Sequence, residues 1–111
     1  MGVMRPATTE LVFRAVADGT RRGILDLLRG SPKSVGDIVS RFGVSQPTIS
    51  QHLRVLADAG LVNRRRDGRR IFYGLRPRGI RRVHDWSVHY ARFWPEKLRA
   101  LGARLGQVRE P

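Results

Sequence analysis

Apolar residues recur along this chain in two different rhythms. From Thr9 to Ala17, the residues Leu11, Val12, Ala15 and Val16 fall on one side of a helix, the spacing of an amphipathic element. Asp18 is a suitable cap for a second helix, which carries Ile24, Leu25, Leu27 and Leu28 and stops at Gly30. Ser31-Pro32-Lys33 is a short connection. Ser34 then stands three residues before Asp37, in a capping-box-like arrangement, and Val35, Ile38, Val39 and Phe42 follow at helical spacing. Gly43 and Val44 end that third helix. Ser45 caps a fourth, and Pro47 falls in its first turn, where a missing N–H does little harm. Ile49, Leu53, Leu56 and Ala57 form its apolar face, and Gly60 is the expected residue just past its end.

Beyond Gly60 the period shortens. Leu61-Val62-Asn63-Arg64-Arg65-Arg66 predicts a strand, Asp67-Gly68 a two-residue hairpin turn, and Arg69 to Leu75 the returning strand, rich in the β-formers Ile71, Phe72 and Tyr73. Pro77 marks the exit. A long helix is expected from about Arg78, with the stripe Ile80, Val83, Trp86, Tyr90, Phe93 and Trp94. Pro95 should kink or split it, and Leu98, Leu101 and Leu105 continue the apolar repeat. The pattern predicts a mainly α fold with a small β-hairpin: a winged helix-turn-helix of about five helices and a two-stranded wing. One domain is expected over residues 9–105, flanked by a loose start (1–8) and a loose tail (106–111).

Phe42-Gly43-Val44-Ser45 joins two short helices by a tight, Gly-containing turn, the mark of a helix-turn-helix whose second helix lies in the major groove of DNA. The polar side of that second helix presents Gln46, Ser50, Gln51 and Arg54, opposite Ile49, Leu53 and Leu56. Glutamine bonds an adenine edge with two hydrogen bonds, and serine donates to or accepts from several bases. His52 follows Gln51 and is placed to meet a phosphate or to pack at the helix edge. Five arginines and one acid, Asp67, then occupy positions 64–70. Such density repels itself on a bare surface but is attracted to a phosphate backbone. Arg69 is expected at the tip, where an arginine can enter a narrow minor groove, with Arg66 flanking it; Arg64, Arg65 and Arg70 are backbone contacts or strand-face charges.

Composition reinforces this direction. The 111 residues carry a formal net charge of +13, which favours a polyanionic partner. The basic groups are arginines except for Lys33 and Lys97. The absence of cysteine rules out disulfides, thiolate metal sites and cysteine nucleophiles. The nine acids are scattered, His52, His84 and His89 make no catalytic motif, and there is no phosphate-binding glycine loop. An enzyme is therefore not expected. No charged-then-apolar leader opens the chain and no apolar run approaches the ~20 residues that span a bilayer. A soluble cytoplasmic protein with no membrane partner is the expectation.

Three stretches resemble the ArsR (SmtB/ArsR) family of bacterial repressors, over roughly residues 13–75. Phe13-Arg14-Ala15-Val16-Ala17-Asp18-Gly19-Thr20-Arg21-Arg22-Gly23-Ile24-Leu25 looks like the family's opening motif. Ser45-Gln46-Pro47-Thr48-Ile49-Ser50-Gln51-His52-Leu53-Arg54-Val55-Leu56 looks like its recognition helix. Ala59-Gly60-Leu61-Val62 with Gly68-Arg69-Arg70-Ile71-Phe72-Tyr73 resembles its wing. The resemblance implies a homodimer held by its first and last helices, bound to double-stranded DNA at a near-palindromic operator. Base-facing positions of the family fall on Gln46, Pro47, Ser50 and Gln51; Pro47 can contact a thymine methyl but offers no hydrogen bond. The expected DNA-binding set is Ser45, Gln46, Pro47, Thr48, Ser50, Gln51, His52, Arg54, Arg64, Arg66, Arg69 and Arg70. The expected dimer interface is Leu11, Val12, Ile80, Val83, Trp86, Tyr90 and Trp94, a stripe too apolar for a lone helix in water.

The chain departs from the metal-sensing members. Their Cys-x-Cys run before the recognition helix corresponds to Ser34-Val35-Gly36-Asp37-Ile38, so Ser34 and Gly36 occupy the thiolate positions. On the last helix, His84, Asp85, His89 and Glu96 do not reproduce the family's second metal site; Asp85 and His89 share a face, and His84 lies well apart from His89. The expectation is no metal, no cofactor and no apparent effector. A rival reading is a nonspecific architectural nucleoid protein, which needs the charge but no defined reading helix.

Overall fold

The structure, a computed structural model, describes residues 8–93. Its elements in chain order are α1 (Thr8–Val16), α2 (Gly19–Leu28), β1 (Lys33–Ser34), α3 (Val35–Arg41), α4 (Gln46–Asp58), β2 (Val62–Asp67), β3 (Arg70–Leu75) and α5 (Pro77–Ser87), which tightens into a 3₁₀ segment, Val88–Phe93. This is a winged helix-turn-helix, as the pattern predicts, with one addition. The sheet has three strands in the order β1-β3-β2, all antiparallel. β1 pairs Lys33 with Tyr73 and Ser34 with Phe72. A two-residue strand has no periodicity to betray it.

The capping residues explain where the helices begin. The Asp18 carboxylate accepts from the Arg21 N–H at 3.0 Å, the Ser34 hydroxyl from the Asp37 N–H at 3.1 Å and the Ser45 hydroxyl from the Thr48 N–H at 3.3 Å. Each such cap contributes about 1 kcal/mol. α4 stops because Gly60 turns left-handed, at φ +78°. Its N–H then reaches the Ala57 carbonyl at 3.0 Å and the Leu61 N–H reaches Leu56 at 2.9 Å, the paired bonds of a Schellman ending. Phe42 departs from the expected stripe. It caps α3 in extended conformation, and its ring lies 3.0 Å from where a Cβ on Gly23 would stand.

The apolar faces meet in one core. Val12 and Ala15 of α1, Ile24, Leu25 and Leu28 of α2, Ile38 of α3, and Ile49, Leu53 and Leu56 of α4 are buried together with Ala59, Leu61 and Val62. Tyr73, Leu75, Ile80 and Val83 close its edge. The long last helix departs from expectation as well. It leaves α-geometry at Val88, ahead of Pro95, and the expected kink there, with Trp94, Leu98, Leu101, Leu105 and the loose termini, lies outside the described residues. No helix among the described residues is long and apolar enough to cross a membrane.

Candidate nucleic-acid interface

α4 buries Ile49, Leu53 and Leu56 completely, and that fixes what it shows to solvent. Ser45, Gln46, Pro47, Thr48, Ser50, Gln51 and Arg54 are all exposed, so the amides, hydroxyls and guanidinium expected to meet DNA form one continuous strip. Thr48 is the exception in freedom. Its hydroxyl lies 2.9 Å from that of Ser45 and belongs to the cap. His52 is half-buried, with its Nδ1 turned inward, 3.2 Å from an Arg21 guanidinium nitrogen and 3.9 Å from the Asp18 carboxylate. A guanidinium only donates, so in this contact Nδ1 is the acceptor. His52 is therefore tied to the scaffold through one nitrogen.

Arg21 does more than meet His52. Its Nε donates to the Ala15 carbonyl at 2.8 Å and a terminal nitrogen donates to the Arg14 carbonyl at 3.0 Å. These are carbonyls of the last turn of α1, which lack partners within the helix. The Arg21 backbone N–H, donated to Asp18, holds that carboxyl below its ordinary pKa. Nothing in the sequence pattern marks Arg21, because its partner His52 stands 31 residues away.

The wing sorts its arginines by face. Cross-strand partners share a side of a sheet. Arg65 with Phe72 and Asp67 with Arg70 therefore lie on one side, and Arg64 with Tyr73 and Arg66 with Ile71 on the other. Because Asp67 pairs with Arg70, the turn residues are Gly68 and Arg69, one position later than the expected Asp67-Gly68. Gly68 has φ +66° and no other residue type has positive φ among the described residues, which fits a turn with glycine at its first central position. Arg69 thus sits at the tip. Arg64, Arg65, Arg66 and Arg69 are exposed. Arg70 is exposed as well but anchored: it donates to the Ser34 hydroxyl at 3.2 Å and lies over the Phe72 ring at 5.3 Å. It fastens the wing to the start of α3.

Ser34 is consequently a strand residue, a helix cap and an acceptor at once, and it is 4% exposed. Beside it, Gly36 is exposed. Among the described residues no three His, Asp or Glu side chains converge as metal ligands would. The Asp85 carboxylate faces Arg81 at 3.7 Å and His84 at 3.4 Å, whereas His89 reaches only the Asp85 backbone carbonyl. Beside the face Asp85 shares with His89, its carboxylate contacts His84, the neighbouring residue.

The expected dimer stripe divides in two. Val12 is fully buried in the core of its own chain and has no surface to offer a second one, a correction to its place in the stripe. It fell there because a helix period gives the apolar side but not how deep each residue sinks. Leu11, Ile80 and Val83 are half-buried against the same core. Trp86 and Tyr90 are 52% and 47% exposed. Their rings lie 5.2 Å apart, and Trp86 meets Phe13 of α1 edge-on at 5.3 Å.

Comparison with known proteins agrees with this geometry. Residues 18–64 match the model of bacterial regulatory proteins of the arsR family. The chain is 39% identical over 79 residues to the transcriptional repressor SdpR of Bacillus subtilis, covering 71% of this chain and 88% of that one. It is 41% identical over 86 residues to an HTH-type transcriptional regulator of Mycobacterium tuberculosis, with 78% of each covered. A crystal structure of an ArsR family transcriptional regulator superposes with a TM-score of 0.73 at 25% identity, covering 80% of this chain and 98% of that one. The chain belongs to the ArsR family of bacterial regulatory proteins, DNA-binding regulators of transcription and not enzymes.

Proposed function

We propose that this chain is a sequence-specific repressor that works as a homodimer on a near-palindromic operator in the cytoplasm. Residues 45–59 enter the major groove and the wing, residues 64–70, meets the minor groove and phosphates. The observation that carries this reading is the exposed strip Gln46, Ser50, Gln51 and Arg54 on a helix whose opposite side is wholly buried. It lies next in the chain to a wing with five exposed arginines and one of them, Arg69, at the tip. The first gives base contacts and the second gives affinity for any phosphate backbone. His52 adds a phosphate donor through Nε2.

Support for the dimer comes from the aromatic ladder. Trp86 and Tyr90 are exposed along the last helix, Trp86 meets the half-buried Phe13 of α1, and Val88 and Phe93 nearby are 47% and 66% exposed. A contiguous apolar surface of this kind asks for a partner. A second copy satisfies it symmetrically and sets two reading helices one turn of DNA apart. The domain boundaries follow: residues 9–105 act as one unit with a dimer element at each end.

Selection from a random DNA pool with the purified full chain tests the reading. The expected product is a pair of inverted half-sites with fixed spacing, retained against a large excess of random DNA. Displacement by random DNA as easily as by the selected sequence would instead identify an architectural nucleoid protein. Dilution through the dimerisation range should abolish operator binding.

A further inference from the structure

The reading helix is held in the fold mostly by apolar contacts, and these have no preferred direction. They set how close α4 sits to the core but only weakly how it is turned. The helix is 13 residues long, so each end lies about 10 Å from its middle. A tilt of about 10° then carries an end by roughly 2 Å, enough to break a hydrogen bond to a base edge. Something directional must hold the middle of α4.

Only one set of polar contacts from another element reaches that middle among the described residues, and it centres on Arg21. Its guanidinium is planar and its donors are fixed in a fork. Three of its nitrogens are used in three directions: Nε on Ala15, one terminal nitrogen on Arg14, the other on His52 Nδ1. Asp18 caps the same turn and takes the Arg21 backbone N–H. The two carbonyls belong to α1, and the histidine belongs to α4, between Gln51 and Leu53. α1 carries Phe13 of the aromatic ladder. One side chain thereby joins the helix that faces the second copy to the helix that faces DNA.

We propose that Arg21, with His52 as its acceptor, is a positioning residue for DNA reading: the clamp fixes the angle of α4 against α1 and so the distance between the two half-sites a dimer can read together. This rests on the proposed homodimeric repressor. The core buries most of the apolar surface that holds the domain together; the clamp sets the aim of α4.

The test uses the full-length chain and the operator selected by the wild-type protein, together with operators whose half-sites are moved one base pair closer or further. Wild type should bind the original spacing best. Arg21→Ala and His52→Ala should lose roughly tenfold of that preference, the size of one mismatched base pair; affinity for an isolated half-site should stay within about twofold in Arg21→Ala, and should fall equally in His52→Ala and His52→Asn, which both lack the Nε2 donor. His52→Asn keeps an acceptor near the Nδ1 position and should restore the spacing preference. This pair of substitutions at position 52 decides the matter even if Arg21→Ala folds poorly. Retained spacing preference in His52→Ala, or the same spacing preference in His52→Ala and His52→Asn, overturns the clamp while leaving the repressor reading intact. A wild-type protein that shows no preference for any sequence overturns both, and that result is visible before any variant is made.

Discussion

Adding a single methyl group to either of two glycines should have opposite effects. Gly36 and Gly79 both lie in the first turn of a helix, and in a helix alanine is favoured over glycine by up to about 1 kcal/mol. At Gly36 the nearest atom to an added Cβ is the Ser34 hydroxyl at 4.0 Å, so Gly36→Ala should stabilise by a fraction of that. At Gly79 the added carbon would stand 2.6 Å from Leu61 Cδ2 and 2.7 Å from the Gly60 carbonyl oxygen. The leucine tip can turn away, but the carbonyl is backbone and belongs to the left-handed residue that ends α4. The approach is fixed further by the Arg76 N–H on the Leu61 carbonyl at 2.8 Å. α5 must therefore retreat by about half an ångström, an overpacking that costs about 1–3 kcal/mol. Set against the helix preference, Gly79→Ala should lose about 1–2 kcal/mol net. In a domain of this size that lowers the melting temperature by roughly 5–10 °C. Circular dichroism melts at one fixed protein concentration measure it, since any association shifts the midpoint. Gly79→Ala melting at or above wild type would refute the close docking of α5 on the end of α4.

The other expected outcomes concern DNA and acid. Gln51→Ala should weaken operator binding by ~1–3 kcal/mol and leave binding to random DNA nearly unchanged in a competition assay. Arg69→Ala should weaken binding to both, and should reduce the slope of log affinity against log salt by about 0.9 per wing engaged; identical behaviour of these two variants would refute the division between helix and wing. The Asp18 carboxyl lies below its ordinary value of 3.8 in the folded chain, so the ionised form favours the fold at every pH above that value. The benefit fades as pH falls from there through the lower folded value. The stability gap between wild type and Asp18→Asn in urea melts should accordingly shrink in strong acid, and a gap constant with pH would count against the cap.

Much of this architecture is written in short-range signals. Ser34 and Ser45 announce their helices because a hydroxyl beside free N–H groups acts within three residues. Gly60 ends α4 because the backbone there must turn left-handed, and that too is local. The exposed strip on α4 follows directly from the spacing of Ile49, Leu53 and Leu56. What could not be read is what depends on distant partners or on depth. β1 exists only because β3 lies beside it, and Arg70 holds Ser34 across 36 positions. Val12 and Leu11 look alike in a helical period, yet one is sealed in the core and the other is at its edge. The turn slipped one residue because Asp-Gly is compatible with two hairpin registers, and the pairing of Asp67 with Arg70 selects the one that puts Arg69 at the tip.

The arginines show why charge alone is a poor guide to this interface. The net charge of +13 points toward a polyanion but does not say which guanidinium reaches it. In the fold several are committed elsewhere: Arg21 to α1 and His52, Arg22 to the Val16 carbonyl at 2.8 Å, Arg82 to the Thr9 hydroxyl at 3.0 Å, Arg70 to Ser34. A guanidinium already donating to carbonyls has fewer donors left for phosphates. What such residues give to DNA binding is geometry, by holding a helix end, a wing base or a reading helix in place. In the proposed reading, the exposed wing arginines give attraction that any sequence of DNA would satisfy. In that reading, discrimination is left to uncharged Gln46, Ser50 and Gln51, whose hydrogen bonds would be short-ranged and fail when the helix is slightly misaligned. A protein that relies on groups of that kind needs a rigid mount more than it needs additional charge, and in the proposed reading the arginines bound to their own fold supply it.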